Sequence, residues 1–358
     1  MKLRKSATTS FVIFTLALFL IAGLGCKKNT KEEKKQTPPT SYLYIFALEQ
    51  IRDSGFEAVV ISDFAKQNNI GLRMNLFPDL STLLQTLSNP NYQGKVDIVM
   101  GLDNSFFYDT DSSSYFAPVP EVSLQEIRYE IPKDSEHCLI PYATANLAFI
   151  YDSRKFPEPP HSFGELQDSK YYSQLAICDP AQSGLGCSTL LWTIALFSEQ
   201  GYKQLWSSLN KNIYKIYPNP SLCLDAIRTR KCGLMIGYNT VPAWLNELYP
   251  SESYIKAIIP EEGSFLYVES AALCKNAPNK DTALKFLNYL ISSNVQQFVI
   301  YKLGMMPVNG RTPLPASFAH IPAIIYSHNN RLEQQPVQDS LQVWISNWNR
   351  IMYGHRGL

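Results

Sequence analysis

Apolar and polar positions along this chain repeat with two alternating periods. Residues 42–47 open the body as a β-rich apolar segment, and residues 57–67 carry apolar side chains at helical spacing, among them Val60 and Phe64. The pattern predicts a strand over 72–76 and a helix over 81–87. Residues 96–102 (VDIVMGL) form a continuous apolar run, the type of strand buried on both faces of a parallel sheet. Residues 147–151 predict another strand. Residues 176–178 followed by 189–197 predict strand, loop and helix. A helix over 222–230, a strand over 234–238 and a strand over 266–274 follow. Helices close the chain at 282–290, 295–300 and 343–352. No internal repeat is present. Strands alternating with helices predict an α/β fold with mostly parallel sheets. About 320 residues of body predict two such lobes.

The first 40 residues break that pattern. Three positive charges in residues 1–10 precede an apolar run over 11–22, interrupted by Thr15, and then Gly23-Leu24-Gly25-Cys26. This is the order of a secretory signal, residues 1–25. The apolar run falls short of the roughly 20 residues that span a bilayer. The segment resembles a bacterial lipoprotein box, with Gly23 where Leu or Val is usual, and implies cleavage before Cys26 and lipid attachment to its thiol. Ordinary cleavage with an unmodified Cys26 is the alternative. Residues 26–40 are charged and Pro-ended and predict a flexible tether.

Charge sharpens this division. The 358 residues carry a net +1, but residues 1–37 hold eight Lys and Arg against two Glu, which leaves the body at −5. A mildly acidic globule argues against a nucleic-acid partner. With 45% hydrophobic and 12% aromatic residues the body has ample core material. Six cysteines follow Cys26, at 138, 178, 187, 223, 232 and 274. Cys178/Cys187 and Cys223/Cys232 are candidate local disulfides, and buried thiols are the alternative. Five scattered histidines give no zinc signature, so neither a metal nor a cofactor is expected.

Ligands of open α/β sheets bind beyond the carboxyl ends of strands. Three such ends are chemically distinctive. Asp103 and Asn104 follow the apolar strand at 96–102; Asn104 could equally cap a helix. Residues 179–186 (DPAQSGLG) lead into a helix, where Ser183, Gly184 and nearby N–H groups favour an anion or hydroxyl. Tyr238 and Asn239 end the strand at 234–238, with Tyr238 placed to stack on a flat ligand or to line a wall. Together they predict one interlobe cleft.

These residues resemble the thiamine-binding periplasmic protein family, within the type II substrate-binding proteins of ABC importers. The resemblance rests on DIVMGLDN (97–104), LAFIYD (147–152), PPHSFGEL (159–166), CDPAQSGLG with LLW (178–192), GLMIGYNTVPAW (233–244), PEEGSFLYVE (260–269), KFLNYLISSNVQ (285–296), MMPVNG (305–310) and VWISNW (343–348), in family order across nearly the whole body. It implies two α/β lobes that close over one ligand: residues 41–143 with about 263–310, and 144–262 with about 311–358 and crossing segments. Family pocket positions differ at Glu49, Asn146, Pro220 and Gly304 or Met305. Of three expected aromatic walls only Tyr238 is retained, and Phe106, Phe107, Tyr108, Phe265 and Tyr267 are the candidate substitutes.

The function implied is a lipid-anchored, monomeric periplasmic binding protein. It would capture thiamine, thiamine monophosphate or thiamine pyrophosphate and pass it to ABC permease and ATPase subunits without chemistry on the ligand. Asp103 and Glu49 would face positive charge, Asn146 would line the crossing segment, and Tyr238 would stack. Two alternatives remain. One is another ligand, such as a polyamine, another vitamin or ferric iron, for which Tyr171-Tyr172 are the adjacent tyrosines. The other is a thiamine-degrading enzyme with Cys138 as nucleophile.

Overall fold

Three parallel strands open the structure, a computed structural model that describes residues 39, 41–104, 106, 112–332 and 334–354. The expected signal, the tether, Cys26, Phe107 and Tyr108 lie outside the described residues. Strands β1 (Ser41–Leu48), β2 (Ile70–Phe77) and β3 (Ile98–Leu102) pair in the order β2-β1-β3. Between β1 and β2 run α1 (Gln50–Asp53), a π-helical turn (Glu57–Ile61) and α2 (Ser62–Gln67); α3 (Leu80–Leu87) joins β2 to β3. The Asp79 carboxylate starts α3 by accepting from the Thr82 amide at 2.7 Å, which satisfies a donor that the first helical turn leaves open. Every residue of β3 is buried, as its unbroken apolar run requires.

Strand β4 (Leu139–Asp152) ties the molecule together. Its 14 residues extend well beyond the predicted 147–151. From Leu139 to Asn146 it pairs antiparallel with β9 (Leu266–Leu273). From Leu147 onward it pairs antiparallel with β7 (Leu234–Tyr238) and β8 (Ile255–Ile258). β5 (Leu175–Cys178) lies parallel to β7 and to β6 (Ile213–Tyr217), and the short β10 (Met306–Pro307) joins β4. The order is β2-β1-β3-β9-β4-β7-β5-β6. The sheet is therefore mixed, not mostly parallel. Each wound half keeps its parallel strands, but β4 passes from one half into the other and β9 runs against it, so every pairing these two make is antiparallel.

Helix α4 (Gly184–Leu209) covers the second half, broken at Ser198 where φ is +64°. It is followed by α5 (Pro220–Arg228), α6 (Val241–Leu248), α7 (Lys280–Leu290), α8 (Ser293–Phe298) and α9 (Gln334–Tyr353). Trp192 of α4 is fully buried, edge-on to Phe163 at 4.8 Å. Trp206 meets Trp348 of α9 edge-on at 5.7 Å. Truncating such a tryptophan to Ala costs about 3–5 kcal/mol, so the Trp206–Trp348 contact fixes α9 on α4. Among the described residues no helix is long and apolar enough to cross a membrane.

The six described cysteines are all buried and all thiols. The expected local pairs are not formed. Instead Cys178 at the end of β5 meets Cys223 on α5, with 3.5 Å between sulfurs. Strand-on-helix packing brings together residues 45 apart in sequence.

Candidate functional site

The place where β4 changes partners is also where the two halves meet chemically. β9 supplies Tyr267 and Glu269, two residues apart and hence on one face of the strand. β3 ends beside them, with Leu102 opposite Ser270, so Asp103 emerges at Glu269. β7 ends opposite Leu147, so Tyr238 comes up to Tyr267; their ring centroids lie 5.0 Å apart at 39°. The first turn of α4 completes the cluster. A Cβ at Gly184 would collide with the Asp103 carboxylate and lie 3.0 Å from the Tyr267 hydroxyl. Only glycine lets the helix start approach this closely.

Glu269 is the electrostatic centre. It is 3% exposed. The Tyr142 hydroxyl donates to it at 2.8 Å, the Tyr267 hydroxyl at 3.0 Å and the Gln50 amide at 2.9 Å. These donors are uncharged, and the charge of the acid Asp103 also acts on it. Burial pushes the Glu269 carboxyl up to about 6; the tyrosine hydrogen bonds pull the other way, and Asp103 adds to the rise. Burial, then the Glu269 charge, hold the hydroxyls of Tyr142, Tyr238 and Tyr267 well above the ordinary phenol range, so all three stay neutral donors. Two carboxyl groups thus face aromatic rings, and among the described residues the groups bonded to Glu269 are neutral. Such a cluster is costly when ionised and relaxes when a cation enters.

The eight residues nominated from the sequence divide into groups. Asp103, Gly184 and Tyr238 meet around Tyr267, as described. Ser183 caps α4, its hydroxyl accepting from the Gly186 amide at 3.4 Å, and so holds Gly184 in place. Asn104 is buried and acts as a strut: it accepts from the Val268 amide at 2.7 Å and donates to the Leu266 carbonyl at 3.0 Å. Asn239 pins the crossing strand, its side chain accepting from the Asn146 amide at 3.0 Å. Asn146 is partly buried at the changeover. Glu49 is exposed at the start of α1; its neighbour Gln50 is the residue that reaches Glu269.

Glu269, Tyr142 and Gln50 were not foreseen. A signal existed for Glu269: one acid inside an otherwise apolar strand is rarely buried without a purpose. Of the substitute aromatics, Tyr267 joins the cluster. Phe106 packs on Phe116 at 5.5 Å and Phe265 is fully buried in the main core. Tyr171 is buried edge-on to Phe156 at 5.1 Å while Tyr172 points outward, so the adjacent tyrosines do not converge on the cluster. Cys138 is buried among Leu139, Ala272 and Cys274, its thiol directed at the Phe116 and Glu136 carbonyls. Among the described residues no group of three His, Cys, Asp or Glu is placed to hold a metal.

Two wound α/β halves that share one crossing strand and bring their strand ends to a common cluster define a two-lobe, type II periplasmic-binding-protein fold. The bacterial extracellular solute-binding protein family matches residues 93–321, and the chain belongs to that family. It is 24% identical to the thiamine-binding periplasmic protein of Brucella abortus, over 94% of this chain and 97% of that protein. It is 28% identical to the thiamine-binding periplasmic protein of Escherichia coli, over 84% of this chain and 90% of that one. A solved periplasmic thiamin binding protein superposes with a TM-score of 0.75 at 26% identity, covering 87% of this chain and 96% of that structure.

Proposed function

We propose that this protein captures thiamine in the periplasm and delivers it to a membrane permease. The chain is the substrate-binding component of an ABC importer, and its solute is held between the two halves. The observation that carries the choice of solute is buried Glu269 beside Asp103, set against Tyr238 and Tyr267, with the neutral groups of Tyr142, Tyr267 and Gln50 donating to Glu269. Thiamine is a flat aminopyrimidine joined to a cationic thiazolium. A planar cation answers both features: the rings stack on tyrosine, and the positive charge offsets the buried acids. The close approach of Gly184 to Asp103 joins the two halves and would hold the ligand-stabilised closure that the permease reads from outside.

In this reading residues 41–143 with about 263–310 form one lobe, and 144–262 with about 311–358 the other. The change of partners on β4 between Asn146 and Leu147 supports a crossing there. Asp103 faces the start of α4, which favours thiamine over its phosphate esters, because an ester's phosphate would meet that carboxylate at the helix N-terminus. A lipid on Cys26 would hold the monomeric protein at the membrane, with the tether giving it reach.

The test is to identify the small molecule that co-purifies with the protein from its native host by mass spectrometry, with a calorimetric screen of thiamine, its esters, polyamines and ferric iron. Thiamine found bound, and thiamine giving the strongest heat, is the expected result. A different co-purified solute with no thiamine heat removes the proposal.

A further inference from the structure

Behind the Asp103–Gly184 contact lies a pair of sulfurs that the binding function does not use. Cys178 is the last residue of β5, and Asp179 begins the loop that carries Ser183 and Gly184 to the cluster. Cys223 lies on α5, packed against β5. The two sulfurs are 3.5 Å apart, Cys178 is 5% exposed and Cys223 fully buried. The chain belongs to an extracellular family, so it matures where thiols oxidise. Two thiols in van der Waals contact need only a small rotation to reach bonding distance.

We infer that Cys178 and Cys223 are joined by a disulfide in the exported protein, stapling α5 to the strand that presents the Gly184 loop. The oxidant is a disulfide-bearing thiol oxidase of the extracytoplasmic compartment. One cysteine, as thiolate, attacks a sulfur of the oxidant's disulfide and releases the other sulfur as thiolate. The second cysteine then attacks the mixed disulfide, and the oxidant departs as a dithiol. Two electrons and the two cysteine protons pass to the oxidant. The Cys178 hydrogen bond and burial push the folded Cys223 thiol far up, so the exchange belongs to folding, before α5 closes over the strand. Cys232 is the competitor by sequence. It is also buried, but its thiol is directed at the Leu234 carbonyl.

The full chain is exported, unfolded without reductant, alkylated, digested and read by mass spectrometry. The expected product is the Cys178 and Cys223 peptides joined and two hydrogens lighter than their sum, with Cys232 and Cys274 alkylated. Full alkylation of both Cys178 and Cys223 before reduction overturns the inference, as does either one joined to another cysteine. A second measurement follows the thermal midpoint: reductant lowers it in the parent protein and leaves it unmoved in the Cys178→Ser/Cys223→Ser variant. An equal response of both proteins to reductant also overturns it. None of these readouts depends on which solute the cleft takes.

Discussion

Two carboxylates on neighbouring strands of one sheet expose equally little surface, Glu269 at 3% and Asp152 at 4%, yet Asp152 lies at the rim beside a partly exposed arginine and Glu269 in the deep interior, and they are treated in opposite ways. Asp152 ends β4 and is clasped by Arg154, whose guanidinium donates to both carboxylate oxygens at 2.9 and 2.6 Å and lies over the Tyr254 ring. Burial works to raise its carboxyl, but the Arg154 hydrogen bonds and charge win, and it sits below the ordinary range. Glu269 has three neutral donors and an acidic neighbour, and burial wins. The lesson is that a carboxylate neutralised from within is structural, whereas one left with neutral donors awaits a cation from outside.

The largest effect on this contrast comes from Asp103→Ala or Tyr238→Ala. Removing a buried charge partner or a stacking ring costs about 1.5–3 kcal/mol, so thiamine affinity should fall about 10- to 100-fold in calorimetry while the fold, read by circular dichroism, persists. Affinity equal to the parent in either variant removes these residues from the site.

Glu269→Gln comes next, and its signature is the pH dependence. The carboxyl sits at about 6 when folded, against 4.5 ordinarily. A raised acid favours the native state when protonated. Its contribution is fully present below pH 4.5 and is lost as pH rises through about 6. The parent should therefore lose about 2 kcal/mol of unfolding free energy over that window relative to Glu269→Gln. Urea titrations of both proteins at pH 4.5 and 7.5 measure this, and parallel pH profiles would contradict it.

Ser183→Ala tests the helix start. Losing a cap costs about 0.5–2 kcal/mol, and this 3.4 Å bond belongs at the low end. Denaturant melts should show that small loss, with thiamine affinity falling less than in Asp103→Ala. The smallest effect on binding belongs to Asp152→Asn. Its depressed carboxyl stabilises the fold above the ordinary pH of an aspartate, and this is lost as pH falls. The variant should be less stable at neutral pH, match the parent in acid, and bind thiamine unchanged. A loss of affinity equal to that of Glu269→Gln would erase the comparison.

Much of the architecture was legible because it rests on local pattern. The unbroken apolar run of β3 and the helical spacing in α3 and α7 each specify themselves, whereas Ser183, read as a ligand contact ahead of a helix from 189, caps a helix that starts at Gly184. Residues 139–146 were missed because Pro141 and Tyr142-Ala143-Thr144 carry no clear period; their burial comes from β9, a strand more than a hundred residues later. The parallel expectation failed for the same reason, since only that distant pairing sets the direction of β4. At the site, Asp103, Gly184 and Tyr238 were legible as strand and helix ends. Glu269 and Tyr142 were not, because a residue in mid-strand shows its neighbours only when the strands are assembled.

The most direct test of the account is a calorimetric titration of the protein with thiamine at pH 7.5 and again at pH 5.5, with Glu269→Gln run alongside. The account predicts tight binding at pH 7.5, an about fourfold weaker affinity at pH 5.5 as Glu269 takes up its proton, and a variant that binds more weakly with no such change. Binding of equal strength at both pH values in the parent, or no thiamine binding at all, would contradict it.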